Sequence, residues 1–293
     1  MRRVFIFIAV IVLSVGAIWA AGKPEAHELL VTTEWLAENS SSAVLIEVGR
    51  KTEDFSSGHI PGAQYFDRSS IYGEVDGVPG MFRGVEAAVA GIEAAGISND
   101  DEVVIYDNAR SLWATRLFWT LEYLGHKKVS VLDGGLAKWT AEGRTVETGT
   151  SSATAGSFAP KVNDGLLISA QEINAGLDEL DIIDTRSAKE YAGEDVRAER
   201  GGHIPGSVHI EWVMNITGDE VPTFLSVTEL GEFYESYDVD KSDRVVTLCQ
   251  TGVRGAHTYF ALRLAGYEDV SLYDGSWVEW GNSDYEIDVP SES

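Results

Sequence analysis

Three stretches of this chain occur twice, in the same order and at a spacing near 140 residues. That duplication constrains the fold more than any other feature. Gly58-His59-Ile60-Pro61-Gly62-Ala63 returns as Gly202-His203-Ile204-Pro205-Gly206-Ser207. Val103-Val104-Ile105-Tyr106-Asp107 returns as Val245-Val246-Thr247-Leu248-Cys249. Val129-Ser130-Val131-Leu132-Asp133-Gly134-Gly135, followed by Trp139, returns as Val270-Ser271-Leu272-Tyr273-Asp274-Gly275-Ser276, followed by Trp280. Solenoid repeats have periods of roughly 20–50 residues, so this longer period means two copies of one domain. The first copy spans residues 29–147 and the second 165–293. Between them, 148–164 begins with ten small, mostly polar residues from Thr148 to Ser157 and reads as a linker.

Within each copy, short β-rich runs alternate with helical patterns. In the second, 180–185, 245–248 and 270–273 are strands, and 256–265 carries Tyr259, Phe260, Leu262 and Leu264 at helical spacing before Gly266. Apolar strands separated by helices predict an α/β fold: two tandem domains, each a mainly parallel sheet with helices on both faces. Ligands of such sheets bind beyond the carboxyl ends of the strands. Cys249 stands at such an end.

Several function classes are excluded early. The net charge of -25 rules against nucleic acid as a partner, since phosphate binding needs clustered Lys and Arg. Cys249 is the only cysteine, so the chain forms no internal disulfide. With no second cysteine and no close pair of histidines, neither a metal site nor a cofactor is predicted. At the N-terminus, Arg2 and Arg3 precede an uncharged run over 4–22 that ends in Ala20-Ala21-Gly22, with Lys23 and Pro24 beyond. That is a secretory signal pattern. The run also approaches the roughly 20 residues of a bilayer-spanning helix. Residues 1–22 are therefore expected to be a signal peptide or an uncleaved membrane anchor. The protein is expected to be exported, whether periplasmic, extracytoplasmic or secreted, with membrane contact only if the segment stays attached.

Cys249-Gln250-Thr251-Gly252-Val253-Arg254-Gly255 lies between a strand and the helix that follows. Backbone N–H groups in such a loop converge on one point, and the helix adds roughly half a positive charge at its N-terminus. Both favour a thiolate at Cys249. Gly252 and Gly255 allow turn conformations closed to other residues. Arg254 carries a permanent charge suited to an oxyanion.

The paired Gly-His-Ile-Pro-Gly segments, Asp274-Gly275-Ser276-Trp277 with Trp280, and the cysteine loop resemble the tandem-domain rhodanese family of sulfurtransferases, over nearly everything after residue 28. In that family the N-terminal domain lacks the cysteine and the C-terminal domain is catalytic, an arrangement that Asp107 opposite Cys249 repeats. Phosphatases and arsenate reductases of the same fold use Cys-x5-Arg. Here four residues separate Cys249 from Arg254, and the smaller loop suits a single sulfur atom.

The resemblance implies a ping-pong transfer of sulfane sulfur through a Cys249 persulfide, held by the loop from Gln250 to Gly255. The partners are a small sulfur donor and a cyanide or thiol acceptor. Arg186 matches a family arginine that binds the donor anion, while Arg197 and Arg200 are further candidates at the same mouth. Mercaptopyruvate enzymes typically carry Cys-Gly-Ser-Gly-Val-Thr. Arg254 in place of that Thr favours thiosulfate, although Gln250 is not the Arg common in thiosulfate enzymes. Mercaptopyruvate transfer, oxyanion hydrolysis or reduction, and a non-enzymatic persulfide carrier are the alternatives. His59 and His203 recur in both copies, including the one without cysteine, which favours a structural role for them and for His257.

Overall fold

The structure, a computed structural model, describes residues 28–49 and 51–289. The first domain runs β1 (Leu30–Val31), α1 (Thr33–Asn39), β2 (Val44–Gly49), α2 (Thr52–Ser57), β3 (Gln64–Asp67), β4 (Gly73–Val75), β5 (Val78–Met81), α3 (Val85–Ala94), β6 (Val103–Tyr106), α4 (Leu112–Tyr123), β7 (Val129–Leu132) and α5 (Gly135–Ala141). The second runs α6 (Ala170–Ala175), β8 (Asp181–Asp184), α7 (Ala188–Tyr191), β9 (Val208–His209), α8 (Val227–Glu235), β10 (Val245–Leu248), α9 (Val253–Ala265), β11 (Val270–Leu272) and α10 (Ser276–Trp280).

The two main sheets have the orders β1-β7-β6-β2-β3 and β11-β10-β8-β9, with every pairing parallel. A parallel bridge from Leu167 to Leu272 takes the place of the β1–β7 pairing in the second copy. The α/β fold of two tandem, mainly parallel domains is therefore the one the duplication predicts. β6 and β10 are buried at every residue, as strands covered on both faces must be.

Helices α4 and α9 follow those central strands and pack on each other, which is why both are buried on nearly every side. Phe118 meets Phe260 edge-on at 4.8 Å. These two residues stand equally far beyond Asp107 and Cys249, so the contact marks a two-fold relation between the copies. One apolar core runs across both domains through this contact.

Segment 148–164 is tied down more firmly than its composition implies. Gly156 N–H donates to the Glu93 carbonyl, Lys161 N–H to that of Leu124 and Asn163 N–H to that of Tyr123, while the Phe158 ring is buried. The β4–β5 hairpin turns at Asp76 and Gly77, both at positive φ (51° and 82°), the pairing that two-residue hairpin turns demand.

The expected location needs correction. Among the described residues no helix is long and apolar enough to cross a membrane. Residues 1–22, which carried the signal or anchor expectation, lie outside the described residues. The membrane-anchored and exported assignments therefore have no structural support and are set aside.

Candidate active site

Cys249 directly follows β10 as a free thiol, 1% exposed, and three residues later Gly252 caps α9. Gly252 has φ +76°, and a Cβ there would lie 2.7 Å from Asp274 Oδ1. Only glycine fits both the backbone and the space. Gly255, by contrast, is helical: it lets α9 approach β11 and β10, where a Cβ would fall 2.9 Å from Leu272 Cδ1 and 3.3 Å from the Leu248 backbone. Ser276 fixes the loop from below. Its hydroxyl accepts the N–H groups of Cys249 (3.2 Å) and Gly252 (3.0 Å) and donates to the Tyr273 carbonyl (2.9 Å). Trp277 and Val278 N–H groups bond the carbonyls of Cys249 and Gln250. Among the described residues, the N–H groups of Gln250, Thr251, Val253, Arg254 and Gly255 are left without a partner.

The first domain shows what such a loop does with a negative group. Asp107 occupies the place of Cys249, and its carboxylate accepts four backbone N–H bonds: Ala109 (2.8 Å) and Ser111 (2.9 Å) on Oδ1, Trp113 (2.7 Å) and Ala114 (3.0 Å) on Oδ2. Burial pushes the carboxyl up, and the four donors work against that rise. The strand-to-helix loop of this fold is an anion nest.

The arginines are placed differently from one another. Arg254 reaches Glu190 with both terminal nitrogens (2.7 and 2.9 Å). Burial alone would lower its affinity for the proton, but Glu190 and Cys249 together hold it firmly charged. Burial would push Glu190 up, yet the Arg254 partnership and the Ser187 bonds hold it at about 2. Arg197 also approaches Glu190 (3.3 Å) while pairing with Asp195 (2.6 Å), and its backbone carbonyl accepts from Gln250 Nε2. Two guanidinium groups thus share one buried carboxylate beside the loop.

Arg186, expected to meet the donor anion, is instead 1% exposed. It bonds Asp184 through Nε and Nη2, donates to the Gly202 carbonyl (2.7 Å), and lies 4.3 Å over the Trp277 ring. Its Nε and Nη2 hold the strand end against the 202–203 turn. Arg200 donates to the carbonyls of Trp280, Ser283 and Tyr285, so it pins the C-terminal segment.

His59 and His203 stack on Phe55 and Tyr191, each at 3.8 Å, and bond those residues' carbonyls through Nδ1. His257 packs on Phe224, and burial lowers it to about 3, which keeps the ring neutral. Among the described residues no group of three His, Cys, Asp or Glu side chains is gathered to hold a metal.

The first domain supplies the opposite wall. Gly80 of β5 lies against Thr251, whose hydroxyl is 3.4 Å from Tyr72 Oη, and Phe82 N–H donates to Asp274 Oδ2 (2.6 Å). Arg116 of α4 pairs with Asp274 Oδ1 at 2.5 Å, both side chains buried. Sequence reasoning missed Glu190, Arg116 and this hairpin. The hairpin had a local signal, Asp76-Gly77 between β-rich residues, and Ser187-x-x-Glu190 is a capping-box pattern that marks the start of α7 without revealing its arginine partners.

The model of the rhodanese-like domain matches residues 32–142 and again 169–283, one match for each copy. The chain belongs to the rhodanese family. It is 35% identical over 278 residues to the sulfur carrier protein TtuD of Thermus thermophilus, covering 87% of this chain and 94% of that one. It is 31% identical to a putative thiosulfate sulfurtransferase of Mycobacterium leprae, covering 90% and 98%. Among solved structures, the rhodanese-fold SseA of Escherichia coli, described as a 3-mercaptopyruvate sulfotransferase, superposes with a TM-score of 0.76 at 27% identity over 85% of this chain and 98% of that one. Sulfurtransferase chemistry of the rhodanese type follows from this kinship.

Proposed function

We propose that this rhodanese-family protein transfers sulfane sulfur from thiosulfate to a small thiophile through a persulfide on Cys249. The Cys249 thiolate attacks the outer sulfur of thiosulfate. A sulfur–sulfur bond forms, the donor's sulfur–sulfur bond breaks, and sulfite leaves with the electron pair. The persulfide Cys249–S–S⁻ carries the negative charge. Cyanide or a small thiolate then attacks the outer sulfur, releasing thiocyanate or a new persulfide and restoring the thiolate.

The observation that carries this reading is the Asp107 carboxylate bound by four loop N–H groups. The equivalent loop beside Cys249 has five N–H groups free to serve a charged sulfur in the same way. Two arginines around Glu190 favour an anionic donor. The depth of the thiol, 1% exposed, favours small acceptors over a protein surface and weighs against a pure carrier.

Intact-protein mass spectrometry tests the proposal. Thiosulfate should add one sulfur atom, cyanide should remove it, and Cys249→Ser should never acquire it. Loading by 3-mercaptopyruvate but not thiosulfate would move the donor to the alternative. Loading by neither would end the persulfide reading. Turnover of an aryl phosphate that depends on Cys249 would favour oxyanion hydrolysis.

A further inference from the structure

The interface between the two copies is two-fold in its principal contacts. Phe118 meets Phe260, its own counterpart. Phe82 N–H of the first domain donates to Asp274 of the second (2.6 Å), and Phe224 N–H of the second donates to Asp133 of the first (2.9 Å). Asp133 and Asp274 are the same position in the two Asp-Gly motifs.

Some contacts are not mirrored, and one of these reaches the Asp274 turn. Arg116 crosses from α4 to Asp274, whereas its positional counterpart on α9 is Thr258, which stays within its own domain and accepts from Asn215 Nδ2 (3.0 Å). A second ion pair, Arg263 of α9 to Glu122 of α4 (2.9 Å), also crosses between the copies, but it joins the two helices, whereas Arg116 reaches the Asp274 turn beside the cysteine loop.

Arg116 is fully buried, and Trp119 lies under its guanidinium at 4.9 Å. Its Nη2 bonds Asp274, its Nε and Nη1 have no hydrogen-bond partner among the described residues, and Nη1 lies 2.9 Å from where a Cβ on Gly252 would stand. Both oxygens of Asp274 are thus held by the first domain, and the unbonded edge of Arg116 abuts the turn of the cysteine loop. Two residues past Asp274, Ser276 sits at φ +52°, a conformation disfavoured for serine, with its hydroxyl on the N–H groups of Cys249 and Gly252. In the first copy that position is Gly135, at φ +54°, with no clamp of this kind beside it.

We propose that Arg116, although it belongs to the domain without a cysteine, is a positioning residue for sulfur transfer. It locks the 274–276 turn, and Ser276 in turn sets the orientation of the cysteine loop. The proposal rests on Cys249 being the residue that carries the sulfur.

The test compares Arg116→Met, Arg116→Lys and the double variant Arg116→Met/Asp274→Asn, which leaves no unpaired carboxylate, with Asp133→Asn, which disturbs the mirror-image contact away from Cys249. Cyanide-removable sulfur loading is followed by mass spectrometry, and kcat and KM for the donor are measured beside thermal unfolding. Arg116→Met should lower kcat by about ten- to a hundredfold, the scale of a loop misplaced by an ångström, with KM changed far less. Lys should recover part of that loss. Asp133→Asn should leave kcat within about twofold of the parent, because Asp133 bonds Phe224 and no residue of the cysteine loop. If Arg116→Met does not fold, the double variant decides by the same criteria. Equal losses in Asp133→Asn and the Arg116 variants, or no loss in the Arg116 variants, would overturn the positioning role. Absence of sulfur loading in the parent protein would instead remove the underlying reading.

Discussion

Replacing Asp107 by alanine tests the anion nest in the domain where it can be read as stability. The carboxylate accepts four N–H bonds between 2.7 and 3.0 Å. Two of the donors, on Ser111 and Ala114, are buried, while those of Ala109 and Trp113 are nearer solvent. Each buried donor deprived of its acceptor costs about 1–3 kcal/mol. Relief of the carboxylate's own burial, which raises its pKa, offsets part of this. The expected net loss is about 2–4 kcal/mol, within reach of urea titration at pH 7. Formate replaces the deleted group, so it should restore stability selectively, by about 1.4 kcal/mol at ten times its dissociation constant. Chloride at equal ionic strength serves as the control, and the parent protein should respond to neither. A loss under about 0.5 kcal/mol, or equal rescue by both salts, would refute the claim that these N–H groups form an anion site. It would also weaken the same argument at Cys249.

Glu47 should make the fold sensitive to pH. Burial raises its carboxyl to about 7, with Asp107 adding to the rise and Tyr106 opposing it. A carboxyl raised on folding favours the protonated fold, so that contribution is complete below about 4.5 and is lost as pH rises through about 7. Glu47→Gln should flatten this decline, which amounts to at most about 3 kcal/mol, in urea titrations across that window. Gly252→Ala forces a Cβ against Asp274 and Arg116 at positive φ. It should destabilise by about 2 kcal/mol or more and abolish most sulfur loading, and normal loading would show that the loop tolerates rearrangement. Glu190→Gln should free Arg254 and Arg197 for an anionic donor, lowering KM for thiosulfate several-fold while costing about 3 kcal/mol of stability. An unchanged KM would place both arginines outside donor binding.

The legible and illegible parts of this molecule separate by range. The duplication, the parallel sheets and the cysteine at a strand end all follow from contiguous residues whose spacing fixes their geometry. Arg186 shows the limit of that reasoning. Its place after a strand is readable, but Asp184, two residues before it, claims its guanidinium, and the Gly202 carbonyl and the Trp277 ring complete its surroundings. Arg254 was readable as a charge, yet Glu190, 64 residues earlier, sets where that charge points. Arg116 lies 158 residues from Asp274, and no local pattern announces a pairing of that reach.

The copies differ where function would demand it. Register aligns Glu47 with Tyr106 and Asp184 with Leu248, so these two acids hold equivalent positions one strand away from Asp107 and Cys249. In the second domain Arg186 neutralises the acid, while two residues past Glu47 stands Gly49, whose Cβ would strike Tyr65 at 2.7 Å. Glu47 is left to rise toward neutrality, and Asp107 fills its own loop from within. The first domain thus has the nest with its own carboxylate inside it. Its remaining contacts to the reaction run through the interface, where the hairpin meets Thr251 and Arg116 meets Asp274. A chain reduced to residues 165–293 would retain Cys249 and its whole loop but lose every one of those contacts. On this argument it should carry sulfur poorly even if it folds.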